Sequence, residues 1–378
     1  MCRAALFLII APVSGSIIYY IIRYAEKESI RMKKKLLALF LATLMVLSLA
    51  ACGGGDSGAK TDSGDSKPSG DAQPSGDVEC TTIKFNFSKS TTDATYAWWS
   101  EVLDRVYEES GHTVKFEIFP SEALGSIPDT IESASKGELV MADGDLAYLE
   151  TYVPDLSVGM APYLMQKPED IQKFWESEIG EKLFGQLEEK GIKCISMSYF
   201  GTRNTMTNSP VHSRADFGKL KIRCASAAMW NEVVRVLGGN ATNTAWSEVY
   251  QAISQGVADG CESPLSALYS SKVQEVCKYC IETEHCIAST VLVMSNEVFN
   301  NLPQQAQDAI TKVMHEYCDE AIQNVNTATE EIRQKMIDEG VEFIQVDKAD
   351  FIAAAQDTPN YFNWTPGLYD EVKAALGY

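Results

Sequence analysis

From residue 81 onward the chain alternates between two hydrophobic spacings. Strand-like runs appear at 81–88 (TTIKFNFS), 114–120 (VKFEIFP), 193–200 (KCISMSYF), 220–225 (LKIRCA) and 341–347 (VEFIQVD), where apolar and polar residues largely take turns, and at 289–295 (STVLVMS), which is continuously apolar at its centre. That period of two predicts β-strands, and 139–143 and 156–164 join them as short apolar runs. Between them, near 94–110, 121–137, 168–190, 226–238, 247–256 and 264–275, apolar residues recur at helical spacing. Strands alternating with helices of this length predict an α/β fold with largely parallel sheets.

One helix stands apart. No breaker interrupts the chain from Pro303, suited to a first turn, to Gly340, suited to a stop. Ala306, Ile310, Val313, Tyr317, Ala321, Val325, Ala328, Ile332 and Met336 form one apolar stripe along it. At 1.5 Å per residue it measures about 55 Å, more than the diameter of a small domain. Such a stripe either dimerises or runs across two lobes, and the pattern leaves both open.

The first 78 residues follow neither spacing. Met32 leads Lys33, Lys34 and Lys35, an apolar run from Leu36 to Leu49, and then Ala50-Ala51-Cys52. These are the parts of a secretory signal peptide, and the apolar run is short for a membrane span. LAAC followed by three glycines resembles a bacterial lipobox, which implies cleavage before Cys52 and lipidation of its thiol. Residues 1–31 carry a second apolar patch (FLIIAPVSGSIIYYII) outside this order; the expected translation start is Met32, the alternative being an extra membrane anchor. Residues 53–78 are nearly all Gly, Ser, Asp, Pro, Lys and Thr; such a segment buries too little to order itself and reads as a tether spanning roughly 25–30 Å.

Charge narrows the class. The chain carries 32 Lys+Arg against 52 Asp+Glu. Residues 1–51 hold 7 of the basic and 2 of the acidic residues, which leaves 25 against 50, a net of −25 beyond them. That argues against nucleic-acid binding, which needs a basic surface. The sequence has no GxSxG, P-loop, GxGxxG or HExxH, and His112, His212, His285 and His315 lack metal-ligand spacing. The pattern therefore points to binding rather than turnover, with no cofactor and no metal. Cys277-x2-Cys280-x5-Cys286 allows a disulfide or a metal, but the strand-like alternation around it favours buried free thiols.

Residues 198–272 are the most informative. They hold G-x-R at Gly201–Arg203, D-x-x-x-L-K-I-R at Asp216–Arg223, Leu237-Gly238, S-E-V-Y-x-A-x-x-x-G-x-x-D-G from Ser247 to Gly260, E-S-P-L-S at Glu262–Ser266 and Y-S-S-K at Tyr269–Lys272. Weaker matches lie at Asn86, Leu124-Gly125, the KGELVMADGD segment and Leu302-Pro303. With these the sequence resembles the DctP-type substrate-binding proteins of TRAP (tripartite ATP-independent periplasmic) transporters over essentially all of 79–378.

The resemblance implies a two-lobed, periplasmic-binding-protein-like α/β fold with a hinge and a long C-terminal helix spanning both lobes. Lobe I is expected to comprise 79–201 plus about 289–325, and lobe II 202–288 plus about 326–378, after the signal region 1–51 and the lipidated tether 52–78. It further implies that Arg223 clamps a ligand carboxylate, because a planar guanidinium gives two parallel hydrogen bonds. Arg203 is the second arginine expected in the cleft. Ser263 stands where the family usually carries Asn, which bears on the ligand's identity. Asn86 is expected to reach the ligand from the other lobe, with Asp143 or Asp145 beside it, and Trp246 and Tyr199 to set selectivity. The implied protein is a non-enzymatic, lipid-anchored receptor on the outer face of the cytoplasmic membrane, handing a small organic acid to TRAP permease subunits. The alternative is an extracytoplasmic sensor domain serving a signalling partner.

Overall fold

The computed structural model describes residues 80–378. The expectations for residues 1–79, lipidation at Cys52 included, lie outside them.

Nine strands form one sheet: β1 (Thr81–Asn86), β2 (Val114–Phe119), β3 (Val140–Gly144), β4 (Ile192–Thr207), β5 (Lys221–Cys224), β6 (Asn240–Asn243), β7 (Gly260–Pro264), β8 (Tyr279–Ser295) and β9 (Glu342–Gln345). The order is β2-β1-β3-β8-β4-β7-β5-β6, with β9 paired to β8. The sheet is mixed rather than largely parallel. β1 runs parallel to β2 and β3, and β5 parallel to β6 and β7. The two long strands β4 and β8 pair antiparallel with each other and with β7 and β3.

Those long strands join two halves. The N-terminal half of β4 pairs with the part of β8 that also carries β3, from Val291 to Met294. Its C-terminal half, from Arg203, pairs with β7. The β4–β8 register shifts at Cys194/Ser196, at Tyr199/Gly201 and at Arg203/Thr205, the middle one falling between these stretches. Gly201 sits in this break at φ +135°, and a Cβ there would lie 2.8 Å from the Pro264 Cβ. That backbone region belongs to glycine, and the close approach of β7 forbids a side chain as well.

Helices cover the halves. α1 (Ala94–Glu109) packs on β2 and buries Trp99, Val102 and Val106 on one stripe. α2 (Ile127–Ser135) opens with Ser126 and Asp129 in a capping box, which satisfies the first free N–H groups, and covers β3. α3 (Ala228–Leu237) begins after β5 and ends on Gly238 in the left-handed region. α4 (Leu265–Ser270) follows β7 directly.

The long helix α5 (Gln304–Asp338) has Pro303 as its N-cap and 35 residues, about 52 Å. It packs on α1 at one end, on β4 in the middle and on α4 further along. Its stripe is shared accordingly: Ala306 to Ala321 lie in one apolar core with Phe85 and Trp99, whereas Ile332 and Met336 lie in another with Met206 and Leu268. A helix crossing both halves explains a stripe longer than either core. The tail after β9 also touches both sides, with Ala349–Ala355 on α3 and Leu368–Leu376 on the helix Glu169–Trp175.

Several local expectations change. Residues 156–164 are not a strand: Pro154–Met160 forms a 3-10 helix, opened by a proline and packed where Leu146 and Phe174 leave no room for a Cβ on Gly159. The helical stretch 168–190 is two helices, Glu169–Trp175 and Glu178–Glu189, separated by the N-cap Ser177. The eight described cysteines are free, and those of the 277–286 cluster are buried. Burial pushes the Cys277 and Cys286 thiols up to about 12, so they behave as small apolar groups rather than nucleophiles.

Candidate functional site

Strand direction creates the site. The carboxyl ends of β1 and β3 from one half, and of β5 and β7 from the other, converge where β4 and β8 cross between the halves. In open α/β sheets, crevices beyond the carboxyl ends of the strands are where ligands sit. Here the space is a cleft of about 540 Å³ of atom-free volume, partly open to solvent. Its walls take Ser88 and Lys89 after β1, and Asp143 and Asp145 at the end of β3. Phe200 and Arg203 come from β4, Arg223 from β5 and Ser263 from β7. Ser289 and Thr290 come from β8, with Tyr148, Trp230 and Trp246 closing the sides.

Three cations and three carboxylates share this cleft, and their partners decide what each can do. Lys89 and Asp143 are both buried and form an ion pair at 2.6 Å, and the Ser88 N–H donates to the other Asp143 oxygen at 2.9 Å. Asp143 thus lines the cleft with its oxygens already engaged. The Lys89 ammonium also lies 4.4 Å from the centre of the Phe200 ring, a cation–π contact that offsets part of its desolvation.

Arg203 is bound by its own chain. Its Nε and Nη2 donate to the two oxygens of Glu262, the latter at 2.8 Å, and Nη2 also reaches the Glu262 carbonyl at 3.1 Å. Its guanidinium stacks over Trp230 at 4.1 Å. Behind the pair, the imidazole of His285 lies 3.2 Å from Glu262 and 2.9 Å from the Thr283 hydroxyl. Burial lowers the His285 pKa, so the ring is neutral, donating through Nε2 to Glu262 and accepting from Thr283 at Nδ1. Burial alone would raise the Glu262 carboxyl, but Arg203 and His285 hold it at about 2.

Arg223 is arranged differently. It is 2% exposed, yet it has no carboxylate partner: Nε donates to the Thr244 hydroxyl at 3.3 Å and Nη2 to the Thr244 carbonyl. No acceptor among the described residues engages Nη1. The guanidinium packs over Trp246 at 5.2 Å, which fixes its plane. Its free edge faces the cleft, where Ser88, Ser263 and Thr290 also present hydroxyls that make no side-chain hydrogen bond among the described residues.

Of the residues singled out in the sequence, Arg223, Arg203, Ser263, Asp143 and Trp246 come together in this cleft. Two do not. Asn86 is fully buried at the end of β1: its amide donates to the Gly125 carbonyl at 2.9 Å and the Thr130 hydroxyl at 2.7 Å, and its oxygen accepts from the Leu124 N–H at 3.1 Å. It pins the loop before α2 to the strand and does not line the cleft. Removing it leaves the buried Thr130 hydroxyl and two half-buried backbone groups without this partner, so Asn86→Ala is expected to cost about 1–3 kcal/mol in urea unfolding.

Tyr199 lies on the other face of β4. Its hydroxyl is 3.1 Å from that of Thr202, and the ring lines a separate groove with His315 and Cys318. Side chains alternate along a strand, so the neighbour Phe200 takes the place in the cleft expected for Tyr199. Asp145, the alternative to Asp143 in the sequence, also lines the cleft, whereas Lys89, Tyr148, Trp230, Glu262 and His285 were not anticipated. Glu262 alone had a visible signal, as the first residue of the E-S-P segment.

Residues 86–362 match the family described as bacterial extracellular solute-binding protein, family 7. A solute-binding protein of Chromohalobacter salexigens is 29% identical over 259 residues, 68% of this chain and 77% of its own. The sialic acid-binding periplasmic protein SiaP of Vibrio cholerae is 26% identical over 277 residues, 73% of this chain and 86% of its own. Among solved structures, a TRAP periplasmic solute-binding protein from Ochrobacterium anthropi with bound L-fuconate superposes with a TM-score of 0.76 at 28% identity, covering 78% of this chain and 99% of that one.

Proposed function

The chain belongs to family 7 of the bacterial extracellular solute-binding proteins, the DctP-type receptors of TRAP transporters, and from that premise we propose that it captures a small organic acid in the cleft between its halves. The observation that carries the reading is the free edge of Arg223, a buried guanidinium without a carboxylate partner that faces the cleft. An unpaired buried charge is costly, and an anion that completes it gains a charge-assisted, two-pronged contact.

The surroundings favour one carboxylate over two. Lys89 and Arg203 are already neutralised by Asp143 and Glu262, which leaves a single cationic edge. The free hydroxyls of Ser88, Ser263 and Thr290 favour an acid that carries hydroxyls of its own, and Trp246 and Trp230 offer flat apolar surfaces to its carbon skeleton. The lobes are expected to close at the β4 and β8 crossings near 201–202 and 288–289, which would desolvate the clamp. In this reading Cys52 carries the lipid, 53–78 holds the body near the membrane, and the loaded receptor delivers its acid to TRAP permease subunits.

The test is a thermal-shift screen of L-fuconate, L-galactonate, D-galacturonate, N-acetylneuraminate and succinate against the purified protein. Ligand at 100 times Kd stabilises the folded form by about 2.7 kcal/mol. At least one hydroxylated monocarboxylate is expected to raise Tm, by more than succinate does. A panel that leaves Tm unmoved, with calorimetry equally silent, would overturn the reading.

A further inference from the structure

Charge matching in the cleft leaves one group over. Lys89 pairs with Asp143 and Arg203 with Glu262, so a bound carboxylate would complete Arg223. Asp145 then remains, a carboxyl in the cleft wall without a cation of its own. Its Oδ1 accepts from the Ala147 N–H at 2.8 Å, and no side chain of the described residues hydrogen-bonds to it. The groups around it come from every wall. Arg203 on β4 is committed to Glu262 on β7, the buried Cys286 thiol on β8 is neutral, and Tyr148 is the phenol of the following turn. A ligand anion seated against Arg223 would add a second negative charge to this cleft.

We infer that the cleft takes up one proton from solvent together with its acid, and that Asp145 holds this proton as a carboxylic acid facing the ligand. This rests on the acid-receptor reading above. Like charges in one desolvated pocket do not both stay ionised, and the weaker acid takes the proton. A ligand carboxylate on Arg223 is the stronger acid, so the proton goes to Asp145. There it turns an acceptor that would repel the guest into a donor for one of its oxygens. The starting point suits the role: burial pushes the Asp145 carboxyl up to about 7, with Arg203 pulling the other way, before any anion arrives. Asp145 thereby becomes a specificity residue. An anion with an oxygen in reach is accepted with its proton, whereas a ligand bearing an ammonium group would hold Asp145 ionised.

Calorimetric titration of the full chain with the panel acid that gives the largest thermal shift, in phosphate and in Tris at several pH values, reads the proton directly. Uptake should be near zero at about pH 5.5 and approach one at about pH 8, with affinity falling by up to about tenfold per pH unit above 7. Asp145→Asn should flatten both profiles, since the amide cannot titrate. Binding without proton uptake at any pH, or affinity that rises from pH 6 to 8 as it would for an ammonium-bearing ligand, overturns this inference and leaves the acid receptor standing. Absence of binding by every acid of the panel removes both.

Discussion

Arg223→Ala is expected to weaken acid binding by at least about a hundredfold, because two charge-assisted hydrogen bonds at about 1.5–3 kcal/mol each are lost together. The same substitution should leave the unliganded fold intact. In the free protein Arg223 has only Thr244 as a hydrogen-bond partner and forms no ion pair among the described residues. Removing it therefore relieves a cost as well as losing a contact, and the melting point without ligand should stay put or rise. Arg223→Lys separates charge from geometry: the ammonium keeps the attraction but not the planar fork over Trp246, so affinity should fall between wild type and alanine. Titration calorimetry on the three proteins measures the series, and equal affinity in all three would remove the clamp from Arg223.

The second large effect falls on stability. Glu262 is fully buried between Arg203 and His285, and its loss leaves a guanidinium inside the protein without its counter-charge. Glu262→Ala is expected to destabilise the fold by about 3–5 kcal/mol in urea unfolding. The pH profile carries the same signature. A carboxyl held at about 2 in the folded state, against an ordinary 4.5, contributes stability that is complete above 4.5 and fades as pH falls toward 2. The shift corresponds to about 3 kcal/mol. His285 acts in the same direction at milder acidity: the folded protein resists the proton that the unfolded chain accepts, so stability already declines below its ordinary 6.5. Glu262→Gln should remove the decline between 4.5 and 2. Wild type and variant losing stability in parallel over that range would assign the acid sensitivity elsewhere.

How far the sequence carried can be judged from single residues. α5 was legible because an apolar stripe is local information, but its length alone allowed either a dimer or two lobes to cover it. Arg223, Ser263 and Trp246 were legible through their place in recognisable segments. Tyr199 and Phe200 were not separable, since one residue of strand parity decides which faces the cleft, and the register shifts at Tyr199/Gly201 and Arg203/Thr205 are tertiary features. Asn86 was misread because a buried amide that ties down a loop looks, in sequence, like one that binds a ligand. The Arg203–Glu262–His285 network joins residues 59 and 23 positions apart, and only the pairing of β4 with β7 and β8 brings them together. The mixed sheet was hidden for the same reason: the length of β4 and β8, and not their alternation, sets the antiparallel centre.

The most direct measurement is a crystal structure of the protein with the tightest-binding acid of the panel. The ligand carboxylate is expected within about 3 Å of the Arg223 Nη1 edge, with Arg203 still paired to Glu262. An acid held by other groups, while Arg223 contacts nothing beyond Thr244, would contradict this.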